Sequence, residues 1–228
     1  MSRKVTFAEG EYYHVYNRGV DKRTVFESES DDRRFMLLLY LCNSKIPFRF
    51  DRLPEWKKEM SLSLIASVMR ETTASPIVAI GAYCLMPNHF HILVRETTKD
   101  GISSFMHRLS TAYTMYFNIG RRRTGALFQG RFKAVHVDND NYLKYLFSYI
   151  HLNPVKIIDS DWKKNGIKNR RQAEQFLREY PYSSYFDYLG IRREFSKIIN
   201  RKKFPTYFPT KTSFKREIAD WLRYADEA

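Results

Sequence analysis

Two cysteines in 228 residues, Cys42 and Cys84, are too few for a disulfide framework. Both sit in apolar segments, which predicts buried free thiols and a reducing, cytoplasmic setting. Long apolar runs are also missing, so no segment is expected to span a bilayer. Residues 1–10 have a short basic start but lack the apolar stretch of a secretory signal. No segment repeats. Acids are the scarcer charge: 25 Asp and Glu stand against 39 Lys and Arg, a formal net charge of +14. That imbalance selects a polyanion such as DNA or RNA as partner, rather than a membrane or a small-molecule substrate.

Hydrophobic residues make up 43% of the chain, enough for a sizeable core. Aromatics reach 16%, and bases stack on aromatic rings. Tyr12 to Asn17 reads as a strand. Ser30-Asp31-Asp32 offers caps to a helix running to Leu41. Between 45 and 75 the pattern loosens around Pro47 and Pro54, which marks a surface insertion with one short helix. Ile77 to Tyr83 is β-prone, Met86-Pro87-Asn88 a turn, and His89 to Val94 a second strand, together an antiparallel hairpin. Gly101 to Asn118 has helical periodicity, and Arg121 to Gly125 is a basic loop. Leu127 to Val137 reads as a strand interrupted at Gln129-Gly130-Arg131. Asp138-Asn139-Asp140 caps a helix that ends near His151, because Pro154 disfavours helical geometry at Asn153. Beyond lie a helix over 170–179 and another near Trp221. This order predicts an α+β fold, a ferredoxin-like split β-α-β domain with an antiparallel sheet. Helices are expected on one face, with the other open to a ligand. Residues 1–158 would form that domain, and 159–228 a basic, aromatic, helical extension.

The chemistry concentrates in His89-Phe90-His91. Strand side chains alternate, so both imidazoles leave on one face and Phe90 enters the core. Two neutral imidazoles are half of a divalent-metal site. On the following helix Tyr145, Tyr149 and Asn153 are i, i+4 neighbours. If Tyr149 faces the histidine strand, the Asn153 amide oxygen can be a third ligand. Such an uncharged set would hold Mg²⁺ or Mn²⁺ weakly until substrate phosphate adds oxygens. Each part also has a plain structural explanation: packed tyrosines, a helix-stop Asn-Pro pair, a solvated arginine loop. A hydrolytic zinc site lacks a nearby acid and a zinc-type cysteine pair. His14, His107, His136 and His151 are scattered and read as structural histidines.

The segments Leu85-Met-Pro-Asn-His-Phe-His-Ile-Leu-Val94 and Tyr149-Ile-His-Leu-Asn-Pro-Val-Lys156 together resemble the REP-associated tyrosine transposases of the HUH endonuclease superfamily. Tyr13 to Gly19, Gly125 to Lys133 and Pro181-Tyr-Ser-Ser-Tyr185 match further family segments in order. The resemblance covers about Tyr12 to Gly190. It implies a ferredoxin-like domain and metal-dependent cleavage and rejoining of single-stranded DNA near hairpin repeats. His89 and His91 fall on the family's metal pair and Tyr149 on its nucleophile. Asn153 falls where relatives place a varying polar ligand. The 45–75 segment is longer than the family needs. Ile157-Ile158 replaces its usual Ala-Gly, and the tail beyond Gly190 has no counterpart.

The resulting expectation is a DNA strand transferase acting on single-stranded or hairpin DNA through a 5′-phosphotyrosine, with Tyr149 as nucleophile. His89, His91 and Asn153 would hold Mg²⁺ or Mn²⁺. Charge and placement nominate Arg18, Arg108, Arg121, Arg122, Arg123, Arg131 and Lys133 for DNA contacts. A monomer is favoured, a dimer possible. Two alternatives are a non-catalytic hairpin DNA- or RNA-binding regulator on the same fold, and a metal-dependent hydrolase.

Overall fold

In the computed structural model, residues 5–46, 48, 61–72 and 75–224 are described. Strand β1 (Tyr12–Arg18) leads to helix α1 (Glu29–Leu41), then α2 (Leu62–Glu71) and the hairpin β2 (Val78–Met86) and β3 (His89–Glu96). Helix α3 (Gly101–Gly120), strand β4 (Lys133–Val137) and helix α4 (Asp140–Leu152) follow. The chain continues through α5 (Val155–Ile158), α6 (Trp162–Asn165), α7 (Arg170–Glu179), α8 (Tyr185–Tyr188) and α9 (Lys211–Tyr224). The sheet order is β2-β3-β1-β4, and every neighbouring pair is antiparallel. The fold is therefore α+β with the split β-α-β order. No described helix is long and apolar enough to cross a membrane.

Alternation along the strands builds two cores. Phe90, Ile92 and Val94 of β3 point to the side covered by α1, α2 and α3. Phe90 is fully buried against Phe35 (ring centroids 4.9 Å apart) and Phe128 (5.7 Å). Truncating such a ring costs about 3–5 kcal/mol. The opposite face of the sheet, expected to be open to a ligand, is covered over much of its area and stays open as a cleft at the His89–His91 end. Ala79, Ala82, Cys84, Met86, Leu93 and Val137 make it apolar; α4 packs on it, and α7 and α9 join the same core. Burial of that surface is what recruits the basic tail. Both cysteines are free and buried.

Gly81 sits in a register shift between Ile80 and Ala82. The shift resets the alternation, so Ile80 faces the first core while Ala82, only two residues on, faces the second. A Cβ at Gly81 would meet the Phe204 ring at 2.7 Å. The edge of β2 is covered by the tail: Leu85 N donates to Tyr182 O, Ser184 N to Tyr83 O, and Asn200 N to Ile80 O. An exposed edge strand is an aggregation template, and this cover removes it.

Several element ends differ from their sequence reading. Helix α1 is capped by Ser28, whose hydroxyl accepts from Asp31 N while the Asp31 carboxylate accepts from Ser28 N. Asp31 and Asp32 therefore lie inside the first turn rather than before it. Strand β4 begins at Lys133, because Gly130 takes a positive φ (69°) that turns the chain. Phe128 makes only an isolated bridge to Gly19. Asn153 is helical (φ −53°, ψ −39°) despite Pro154, and the proline leads into α5. The insertion contributes α2, whose Ile65, Val68 and Met69 are buried in the first core. Its residues 47, 49–60 and 73–74 lie outside the described residues.

Candidate functional site

The β2–β3 turn is two residues long, so His89 opens β3 at the rim of the sheet. β1 pairs alongside with Tyr16 opposite His91 and Arg18 opposite His89. Directly opposed residues share a face, so Tyr16, Arg18 and both histidines look toward α4. Asn139 caps α4 by accepting from Tyr142 N. Leu143, Leu146, Phe147 and Ile150 bury one stripe of that helix in the second core. The stripe fixes the helix rotation and leaves Tyr149 half-buried at the margin.

There Tyr149 meets His91 edge to face, with ring centroids 5.6 Å apart at 84°. His89 and His91 are 5.0 Å apart, centroid to centroid. The Asn153 Nδ2 donates back to Tyr149 O at 3.0 Å, one turn below. That bond orients the amide, and the buried Asn153 Oδ1 has no hydrogen-bond partner. His89, His91, Tyr149 and Asn153 all line one cleft of ≈ 390 Å³. Its cationic lining is Arg18, Lys22, Lys133 and Lys156, and no carboxylate is among the lining residues described.

Both histidines are engaged through Nδ1. His89 Nδ1 is 2.6 Å from Asn88 Oδ1, and Asn88 Nδ2 donates to Lys22 O at 3.1 Å. The amide is thus held with its oxygen toward His89, which requires His89 to donate from Nδ1. His91 Nδ1 lies 2.9 Å from His14 Nε2. Burial, with the nearby lysines, holds His89 at about 4 and His91 well below the usual imidazole value. Both are neutral at physiological pH. Burial also raises the Tyr149 phenol, an effect Asn153 opposes. Among the described residues no group of three His, Cys, Asp or Glu side chains is placed to hold a metal. The available donor set is two imidazole Nε2 atoms and the unpartnered Asn153 Oδ1.

The nominated DNA contacts divide. Arg18 and Lys133 line the cleft, and Arg18 Nε donates to Gln129 Oε1 at 2.8 Å. The other five do not line it. Arg108 donates to Ser44 O on the α1 side of the sheet. Arg121 is ion-paired with Asp31 (2.5 Å) and Glu27 (2.6 Å) and lies 3.9 Å over the Phe117 ring. Arg123 donates to Ala126 O and stands over the same ring. Arg122 and Arg131 are exposed outside the cleft. The periodicity of a basic run does not report which of its members an acid elsewhere will claim.

Four participants escaped the sequence reading. His14, read as a structural histidine, is buried and hydrogen-bonded to His91. Lys22, Lys156 and Lys163 are the others. Lys22 and Lys156 line the cleft, and Lys163 Nζ stands 3.8 Å over the Tyr149 ring centroid. The signal for His14 was available in period two: His14 and Tyr16 share a face, so pairing β1 with β3 brings both to the His89–His91 side. Nothing local marks Lys163.

Comparison with known proteins bears on the same region. No curated protein matches the chain. One solved structure, of a REP-associated tyrosine transposase bound to a REP hairpin, shares 14% identity. The match covers 85% of this chain and 89% of that one, with a TM-score of 0.47. The family described as transposase IS200 like matches residues 9–153, a span from ahead of β1 to Asn153 that takes in the whole sheet and α4. This protein belongs to the IS200-like transposase family.

Proposed function

We propose that this transposase cleaves and rejoins single-stranded DNA, at hairpin-forming sequences, through a covalent bond to Tyr149. The observation that carries the reading is the edge-to-face approach of Tyr149 to His91, inside a cleft with four cations and no described carboxylate. Such a cleft attracts a phosphodiester and spares it a like-charged neighbour.

The protonated phenol attacks phosphorus. A bond forms from Tyr149 Oη to phosphorus, and the bond from phosphorus to the 3′ oxygen breaks. The phenol proton is released to solvent and the departing 3′ oxygen takes one up. One strand end is then a free 3′-hydroxyl, the other a 5′-phosphotyrosine that keeps the bond energy for rejoining. Attack by a second 3′-hydroxyl reseals the strand and returns the phenol. Arg18, Lys22, Lys133 and Lys156 hold the phosphates around the break. Mg²⁺ or Mn²⁺, held by His89 Nε2, His91 Nε2 and Asn153 Oδ1, would supply charge to the non-bridging oxygens. The unpartnered, buried Asn153 Oδ1 fits such a cation, because a buried amide oxygen without a donor is costly unless something binds it.

The test is a denaturing gel of the full chain with 3′-labelled hairpin-forming oligonucleotides and Mn²⁺, beside Tyr149→Phe. A labelled band at protein size, seen with the unmodified chain only, is expected. Cleavage without that band would make the protein a hydrolase. Binding without cleavage across many hairpins would make it a regulator.

A further inference from the structure

The family-matched segment stops at Asn153, yet the surroundings of Tyr149 do not. Ten residues later, α6 turns back over α4. Trp162 is buried in the second core and anchors this turn. The next residue, Lys163, is thereby held with its ammonium 3.8 Å over the centre of the Tyr149 ring. Lys156, on the intervening α5, lines the cleft beside Tyr149 and Asn153.

We propose that Lys163 is a phosphate-gripping residue of the cleavage site, forming with Lys156 a two-lysine clamp on the phosphate that Tyr149 attacks. This rests on the strand-transfer reading above. Three observations support it. Among the described residues no carboxylate pairs with Lys163, and its ammonium rests on the Tyr149 ring without an anion of its own. Its position is held from behind by Trp162, whose ring lies 5.6 Å from Nζ, so the ammonium is placed before substrate arrives. Partial desolvation and the charge of Lys156 lower the Lys163 ammonium to about 8, while the residue keeps an exposed surface by which a phosphate can reach it. Lys156 and Lys163 repel each other, and a phosphate bound between them would offset that repulsion. Negative charge grows on the phosphate oxygens during attack, and on the phenolate oxygen during resealing. Lys163 is placed beside both. The C-terminal extension thus supplies a part of the site, in addition to covering the sheet.

The experiment compares Lys163→Gln, Lys163→Arg and, at the likewise exposed neighbour, Lys164→Gln in the full chain, each checked for unchanged thermal unfolding. The probe is a pool of 3′-labelled hairpin-forming oligonucleotides with single-stranded flanks, with Mn²⁺. Lys163→Gln is expected to slow phosphotyrosine formation at saturating DNA by about a hundredfold. It should also flatten the salt dependence of DNA binding by about 0.7 in the logarithmic slope, one phosphate contact. Lys163→Arg should restore most of both, and Lys164→Gln should change neither. Unchanged rate and slope in Lys163→Gln would overturn the clamp, as would a variant that melts earlier but reacts normally. If the unmodified chain forms no covalent product, the strand-transfer reading fails by itself. The slope then decides Lys163 alone: a loss of about 0.7 upholds the phosphate contact, and no loss rejects it.

Discussion

His14 Nε2 lies 2.9 Å from His91 Nδ1, and the two rings stack with centroids 5.0 Å apart at 23°. Burial holds His14 at about 4, so at neutral pH the two imidazoles are uncharged and share a single hydrogen between these nitrogens. A ligand role for His91 through Nε2 requires that its Nδ1 donate and His14 accept. His14, from a strand 77 residues away in sequence, supplies the acceptor that this His91 tautomer needs. Partners of this kind are worth about tenfold to a hundredfold in metal affinity. His14→Ala is therefore expected to weaken Mn²⁺ binding by that factor, measured by calorimetry on the DNA-free protein. Equal affinity in the variant would show that His91 needs no such orientation.

Arg121 and Lys133, nominated together from sequence, should part company on mutation. Arg121 closes an ion pair on the buried Asp31 and is expected to act on stability. Asp31 retains its bonds from Ser28 N and Tyr116 Oη, so Arg121→Ala should cost about 1–3 kcal/mol in urea unfolding. DNA affinity at fixed salt should barely move. Lys133→Ala should leave unfolding within about 0.5 kcal/mol, as exposed sites do, and reduce the salt slope of DNA binding by about 1. The reverse pattern would place the DNA path over the 121–123 loop.

At Gly81 the added methyl of alanine would collide with the Phe204 ring, a buried part of the second core. Overpacking of this kind costs about 1–3 kcal/mol. Gly81→Ala should lower the unfolding midpoint accordingly, and Phe204→Leu in the same chain should recover part of the loss. A purely additive double mutant would mean that the ring moves aside freely.

His151 is fully buried, 2.7 Å from Ser184 Oγ, and burial holds it at about 3. Its folded value is depressed below the ordinary 6.5. Between these values the unfolded chain binds a proton that the folded chain refuses, so stability is complete above pH 6.5 and falls toward pH 3. By pH 5 the loss from this group is about 2 kcal/mol. His151→Asn should be less stable at pH 7 but lose less on acidification. Parallel pH profiles from denaturant titration would count against a neutral buried His151.

Periodicity was enough to place much of the site. The alternation His89-Phe90-His91 dictates which rings share a face, because a strand gives side chains no other choice. The four-residue spacing of Tyr145, Tyr149 and Asn153 does the same for α4. The helix over 170–179 is equally local and agrees with its reading, and the turn read at Met86-Pro87-Asn88 closes on Pro87-Asn88, with Met86 the last residue of β2. The cap of α1 is local too, but its two adjacent acids obscured Ser28 as the residue that closes the box.

Tertiary structure alone decided the rest. His14 reaches His91 only once β1 pairs with β3, and Arg121 is withdrawn from the surface only once Asp31 lies beside it. Lys163 stands over Tyr149 only because Trp162 finds the second core. Charge and type were visible for each residue, but a single side chain's sequence context holds no record of what folds against it. Local backbone geometry is set by neighbours within a few positions, so the sequence by itself determined the strand faces and helix faces that carry His89, His91 and Tyr149. Their completion into a cleft was decided by burial of apolar surface contributed from the whole chain.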